Sequence, residues 1–569
     1  MNNSQFQRSI TPLGLLFSGV GSVIGSGWLF GPLYAAQIAG PASVLSWIIG
    51  GLLMIIIALT FAELGSAFPI AGGLVQFAQF SHGPLISFMT GWMVWISSIA
   101  VAPVETMGLL QYAGNYIPGL VTKVGNTTVL TYLGIVAGAA LMFLMCFLNY
   151  QGAKFFSRSN NIITSIKLIV PIATLCILIS LDFHSSNFTT ASKGGFMPMG
   201  WHGVLSALPL GGVIYSFIGS NTVLQLAGET KRPQFSIPLA LIVSVIFCII
   251  LYGLLEVAFV GALTPATLTE GWAKLHYAGD SGPFSGILMA FGLSWFVIVI
   301  YGDALISPFG TAYVYTAATA RVTYGLSKIG FLPYFFQKLS KHNVPTRAIL
   351  VNYFAGLFLF LPFPGWQSMV GFIISCFIVS YIIGPIALIG LRKTQPHISR
   401  PFKLPCVHLI AFLAFYICNL LIFWTGWQTV YRMMIAMLIG LVYFFVRICY
   451  QKNRPRAKAA DVKKDVEQRT EERVPALKSA GIRATSLDKK PNGLLKDQWL
   501  KSWWIFPYLG SMCIASYLGS FGGGINVLPF GIDFGVIALI SLAAFSLALF
   551  SLDHENGKLS EQSAPSISA

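Results

Sequence analysis

Two runs of weak helix formers in this 569-residue chain could do chemistry. The first reads Leu13-Gly14-Leu15-Leu16-Phe17-Ser18-Gly19-Val20-Gly21-Ser22-Val23-Ile24-Gly25-Ser26-Gly27-Trp28, with four glycines and two serines between Gly19 and Gly27. The second reads Leu210-Gly211-Gly212-Val213-Ile214-Tyr215-Ser216-Phe217-Ile218-Gly219-Ser220-Asn221-Thr222. A glycine costs about 1 kcal/mol relative to alanine inside a helix, so the first run invites unwinding. In lipid, the freed N–H and C=O groups must find partners. Amides at a half-helix N-terminus attract a carboxylate, and carbonyls at the opposing C-terminus accept from an ammonium group. Paired breaks therefore suit a zwitterion, an amino acid. The competing reading is close helix packing through small residues.

Four ionisable residues also interrupt apolar runs: Glu105, Lys167, Glu256 and Asp303. Charge inside hydrocarbon is expensive and marks ion pathways or coupling sites. Lys167, about two helical turns into its run, either snorkels to the interface or carries a proton through a cycle, because burial disfavours a charged amine. Glu105 and Asp303 could bind protons, pair with Lys167, face a substrate, or satisfy a hydroxyl or carbonyl between helices. Glu256 is expected near the outer interface.

The elements that must position these residues are membrane helices. The chain is 55% hydrophobic and only 9% charged, with a mean hydropathy of +0.73, against about 25% charged in soluble domains. A soluble enzyme or nucleic-acid-binding protein is excluded for most of its length. Apolar runs long enough to span a bilayer fall near 12–37, 41–64, 84–116, 129–149, 160–182, 203–228, 236–262, 285–317, 347–363, 368–391, 407–427 and 430–449, then near 503–521 and 534–552. That predicts an all-α integral membrane protein of about fourteen transmembrane helices. The two breaks lie five spans apart, so a repeat has an odd number of spans. The core should be a five-plus-five inverted repeat with helices one and six broken, and such breaks point to a midplane binding site.

The predicted organisation is a twelve-helix transporter core at 1–450, a polar linker at 451–501, two additional helices at 502–553 and a tail at 554–569. Within the core, repeat one covers about 12–182, repeat two about 203–391, and helices eleven and twelve about 407–449. An N-terminus in the cytoplasm places Lys154, Arg158, Lys231, Arg232, Arg392, Lys393, Arg400 and Lys403, with the basic cluster from Arg321 to Arg347, on the inner side. Only Lys123, Lys193 and Lys274 fall outside. The positive-inside rule then puts both termini in the cytoplasm. Fourteen of the 35 Lys and Arg lie between Lys452 and Lys501, so the net charge of +16 needs no polyanionic partner.

The chain resembles the amino acid–polyamine–organocation transporters over about residues 8–450. The resemblance rests on Gly25-Ser26-Gly27; Glu63 through Pro69, Gly72-Gly73 and Gly91-Trp92; Tyr215-Ser216-Phe217-Ile218-Gly219; and Glu229 with Pro233 and Pro238. Ala320-Arg321, Gly330-Phe331-Leu332-Pro333 and Arg400-Pro401-Phe402 complete it. It implies an α-carboxylate site on Gly25, Ser26 and Gly27. It also implies an α-amino site on carbonyls of Val23, Ile24, Ser216 and Ile218, with Gly219 in the same run and Tyr215 as an aromatic gate. Lys167 follows Asn149, Gly152 and Asn161 at spacings similar to those of proton-coupled members. There a span-five lysine stands in for a sodium ion between spans one and eight. The last two helices depart from the family's usual twelve.

The expected function is import of an amino acid by proton symport through alternating access in a bacterial-type inner membrane. An amino acid or amine exchanger is the alternative, and a transporter-fold sensor a more remote one. The expected partners are the amino acid, protons and the lipid bilayer, without nucleic acid. The substrate is expected to be short and polar, or acidic, met by hydroxyls and amides among Ser97, Ser98, Ser216, Ser220, Asn221 and Thr222. Lys167, Glu105 and Asp303 are the proton-coupling candidates. No enzyme, cofactor or metal is expected: the eight cysteines form no CxxC, and HExxH, P-loop and nucleophile-elbow motifs do not occur.

Overall fold

The structure is a computed structural model that describes residues 10–70, 73–124, 127–180, 183–190, 194–275, 282–342, 344–361, 365–452 and 502–563. The expected linker, apart from 451–452, and the end of the expected tail lie outside the described residues. So do Gly72 and Lys193.

The chain enters with Pro12 in the first turn of α1 (Pro12–Val23) and the Thr11 hydroxyl accepting from the Gly14 N–H at 3.1 Å. Proline and threonine are suited to these two positions. The helix stops at Val23, Ile24 is extended, and α2 (Gly27–Ala39) begins three residues later. A short turn at Gly40–Ala42 leads into α3 (Ser43–Ala67), followed by α4 (Gly73–His82) and α5 (Pro84–Ala113). A small antiparallel hairpin, β1 (Val121–Val124) with β2 (Thr127–Leu130), precedes α6 (Tyr132–Tyr150) and α7 (Ala153–Ser180). The fold is thus helical apart from this one ribbon among the described residues.

The short α8 (Ser186–Thr189) precedes α9 (Gly200–Leu210), where the expected second repeat begins. A 3-10 segment (Tyr215–Asn221) and α10 (Thr222–Gln225) follow, then α11 (Pro233–Ala262). The two halves of span six are bent by 46°. At the bend Gly212 adopts φ +77°, open to glycine but strained for other residues. Next come α12 (Pro283–Ala290), α13 (Ser294–Ile329), α14 (Thr346–Phe358), α15 (Trp366–Tyr381) and α16 (Ile383–Thr394). The chain ends with α17 (Val407–Trp424), α18 (Trp427–Lys452), α19 (Ile505–Leu518) and α20 (Ile532–Ser563).

Among the described residues, ten helices are long and apolar enough to cross a bilayer, or eleven with the bent pair counted as one span. The expected fourteen places are nevertheless all helical. Residues Gly27–Ala67 form one 41-residue run because the Gly40–Ala42 turn barely interrupts it, and α1 and α19 are shorter apolar helices. Helix α14 occupies the ninth expected place. The boundaries that differ most from expectation are the start of α7, at Ala153 rather than near 160, the end of α13, at Ile329, and the end of α20, which runs through most of the expected tail to Ser563. The expected span 285–317 is also divided between α12 and α13.

The most extensive packing pairs α3 with α11 and α5 with α13. These are spans two and seven, then three and eight, the equivalent members of the two repeats. Packing of that kind follows when repeats are related by an axis in the membrane plane. Glu256, expected near the interface, is instead fully buried between α3 and α11. It accepts from the Ser43 hydroxyl and, at 2.9 Å, from the Trp47 indole. A carboxyl between two packed spans needs such donors, which snorkelling would otherwise replace.

Glu63, in the last turns of α3, ties that helix to the connection after α16. Arg392 donates to both its oxygens at 2.7 and 2.5 Å, the Leu404 N–H donates at 2.8 Å, and Arg400 lies 3.6 Å away. The C-terminal pair is docked by polar contacts as well as apolar ones. Asn419 on α17 donates to Ser541 of α20 at 2.8 Å and accepts from Tyr508 of α19 at 2.7 Å.

Candidate functional site

The breaks in spans one and six meet. A Cβ on Gly219 would overlap the backbone of Ser22, and one on Gly27 would overlap the Ser216 hydroxyl. Only glycine lets the two segments approach this closely. The structure thereby brings together Gly25, Ser26, Gly27, Tyr215 and Ser216, and it adds Glu105 from α5. The Ser26 N–H, at the start of α2, donates to Glu105 Oε2 at 2.7 Å, and the Tyr215 hydroxyl donates to Oε1 at 2.6 Å. The helix dipole and an unspent amide favour a carboxylate at that position.

The carbonyls expected to receive an ammonium group have partners of their own. Ile24 O accepts from Thr311 at 3.0 Å, Val23 O from Tyr252 at 3.4 Å and Ile218 O from Tyr381 at 3.3 Å. Ile24 O also accepts a long bond from the Ser307 hydroxyl at 3.5 Å. The Ser216 hydroxyl bonds back to Gly212 O at 3.0 Å.

Lys167 does not snorkel. It is 1% exposed, and its Nζ donates to Gly21 O and to Thr311 Oγ1, both at 2.6 Å. The ammonium therefore joins α1 to α13, that is, span one to span eight. Thr311 is the hinge of this network because it also donates to Ile24 O. Asp303 lies two turns before Thr311 on α13, buried beside Trp28 and within electrostatic reach of Lys167. Among the described residues, neither Asp303 oxygen closes a hydrogen bond.

A roof of aromatic rings covers one side of the breaks. Trp366, from the start of α15, donates from its indole to Ser26 Oγ at 2.9 Å. Its ring stands 5.9 Å from Tyr215, edge-on, and 5.6 Å from Tyr34, stacked. On the α1 side the opposite holds: a cavity is lined by Ser18, Ser22, Asn160, Thr222, Gln225 and Arg321. Trp366 and Thr311 were not expected from the sequence. Trp366 is one of thirteen tryptophans with nothing local to mark it. Thr311 could have been noticed as a hydroxyl eight residues after Asp303, on the same helical face.

Comparison with known proteins decides the family. The amino acid permease family model matches residues 10–444. The chain belongs to the amino acid permease family. It is 36% identical to the glutamate/serine transporter AimA of Bacillus subtilis (strain 168) over 96% of this chain and 94% of that protein. It is 32% identical to the aspartate-proton symporter of the same organism, over 96% and 97%. The branched-chain amino acid permease BcaP, at 28%, aligns over only 77% of this chain and 93% of its own length. The chain is thus a multi-pass amino acid transporter, not an enzyme. The first two of these relatives align across the C-terminal helices as well as the core.

The Tyr215 contacts give a graded expectation. Tyr215→Ala removes an edge-on aromatic contact of about 0.5–1.5 kcal/mol and leaves a buried acceptor short of a donor, a further 1–3 kcal/mol or so. Uptake should fall more than tenfold, and preloaded vesicles should leak substrate. Tyr215→Phe keeps the ring and should lose less. Normal transport by the alanine variant would make Tyr215 mere packing.

Proposed function

We propose that this permease imports an acidic or short polar amino acid with a proton, by alternating access around the breaks in spans one and six. The observation that carries the reading is a carboxylate held on the first turn of α2, one hydroxyl away from a buried ammonium that joins spans one and eight. The carboxylate marks where an amino acid's own carboxylate binds, on Gly25, Ser26 and Gly27. The ammonium on Lys167 marks the coupling site. Its charged form holds α1 to α13, and its neutral form releases them, so proton and substrate bias one equilibrium. Support comes from relatives named as a glutamate/serine transporter and an aspartate-proton symporter. The Ser98 hydroxyl and the Asn221 side-chain amide, both buried with an unspent hydrogen-bonding group, suit a polar or anionic side chain.

In this reading residues 1–450 form the transport core, 502–553 the accessory pair, and both termini face the cytoplasm of a bacterial plasma membrane. The aromatic roof then closes the outer path, while the cavity beside Arg321 is the inner exit. Proteoliposomes test it. Labelled glutamate, aspartate or serine should accumulate under an imposed inward proton gradient, unchanged when choline replaces sodium. Uptake only into vesicles preloaded with amino acid would make the protein an exchanger. Binding without accumulation would make it a sensor.

A further inference from the structure

We propose that Glu105 is a resident stand-in for the substrate's α-carboxylate, filling the cradle on α2 until an incoming amino acid evicts it. The proposal rests on the reading of Gly25, Ser26 and Gly27 as the carboxylate site. Glu105 reaches the cradle from α5, 79 residues away in sequence, and is 1% exposed. Its two oxygens use different donors, the Ser26 N–H and the Tyr215 hydroxyl. The carboxyl group lies against the bare face of Gly25, where a Cβ would come within 2.6 Å of Oε1 and 3.0 Å of the carboxyl carbon. Backbone amide, gate hydroxyl and missing side chain are together a complete carboxylate-binding surface, and in this structure a carboxylate of the chain itself occupies it.

Two carboxylates cannot share that surface. They would compete for one amide and one hydroxyl, and at contact distance in a buried site their repulsion is strong. Substrate binding is therefore an exchange. The same Gly25 Cβ position lies 2.9 Å from Thr311 Oγ1, and Thr311 holds the Lys167 ammonium at 2.6 Å. A displaced Glu105 thus has a cation one side chain away, in the direction of the coupling residue. Eviction moves negative charge toward Lys167, which gives the cradle a physical connection to spans one and eight. It also sets a specificity rule. Only a ligand that brings its own carboxylate replaces what it removes, so an amino acid amide or a simple amine is refused.

Occupancy by Glu105 lowers apparent affinity by the fraction of molecules in which the cradle is free. A cradle closed nine times in ten weakens binding about tenfold. The test is titration calorimetry of the purified full chain with L-glutamate, L-aspartate and L-serine, using whichever binds the unaltered protein. Glu105→Ala should bind that amino acid about tenfold more tightly. In Glu105→Ala, acetate at tens of millimolar should compete with the amino acid, whereas the unaltered protein should ignore it. Glu105→Gln, which keeps shape and an acceptor but lacks charge, should fall between, and it carries the test if the alanine variant does not fold. Unchanged or weaker binding by both variants overturns the proposal and makes Glu105 a ligand or a packing residue, leaving the site assignment intact. Failure of the unaltered protein to bind any of the three amino acids would instead refute the assignment itself.

Discussion

In a Gly27→Val variant, amino acid binding should disappear while the protein still reaches the membrane. The Cβ of any residue at this position would overlap Ser216 Oγ, 3.1 Å from its Cβ and 3.4 Å from its Cα. The Cα cannot yield without moving the break in span six. Valine adds two methyl groups to the same space and stiffens the first turn of α2. Overpacking of this kind costs roughly 1–3 kcal/mol in a core, which a protein of this size survives, but the whole distortion falls on the cradle. Thermal-shift and calorimetric titrations with glutamate, aspartate and serine are the measurements. Affinity within a few-fold of the original would move the carboxylate site elsewhere.

Lys167→Arg is expected to abolish gradient-driven accumulation while leaving the protein folded. The lysine nitrogen is held by one carbonyl and one hydroxyl, with no carboxylate in direct contact among the described residues, an arrangement that tolerates loss of the proton. A guanidinium does not give up its proton in a protein, so the link between α1 and α13 would be permanent. It is also larger and planar, and the Lys167 stem runs past the bare face of Gly310, where an added Cβ would come 3.5 Å from its Cδ. Uptake under an imposed proton gradient should fall to background. Exchange across an equal-pH membrane would persist to the extent that the link can be broken without titration. Lys167→Ala should likewise lose accumulation, having no group to cycle. Concentrative uptake by the arginine variant at near-normal rates would hand the proton site to Glu105 or Asp303.

The broken spans were legible because glycine is a local signal. The run from Gly19 to Gly27 holds four glycines, weak helix formers, and the break falls within it, after Val23 and before Gly27, with Gly19 and Gly21 still inside α1. The helical class was legible too, since spanning length and composition are local, although ten or eleven rather than fourteen helices among the described residues are long and apolar enough to cross a bilayer. What escaped were pairings between elements. Glu105 reads in sequence as a carboxyl near a proline, and only the packing of α5 against the start of α2 shows which amide it faces. Glu256 was misplaced for a similar reason. Its position near the end of α11 suggested an interface, whereas Trp47 and Ser43, some two hundred residues earlier, supply the donors that let it stay buried. Trp366 closes the roof from an equally remote helix. Hydrophobic periodicity says which faces are buried, and it does not say against what.

The docking of the last two helices has a consequence for how this gene can change. Asn419, fully buried on α17, spends its amide on Ser541 and its carbonyl oxygen on Tyr508. In a chain truncated before residue 502, both partners vanish and a primary amide is left facing acyl chains, which cannot hydrogen-bond. The shorter protein would be burdened at that single position more than by loss of apolar contact, because lipid replaces apolar contact readily. Asn419→Leu should therefore come first and truncation second. The route to a shorter chain runs through one codon in α17.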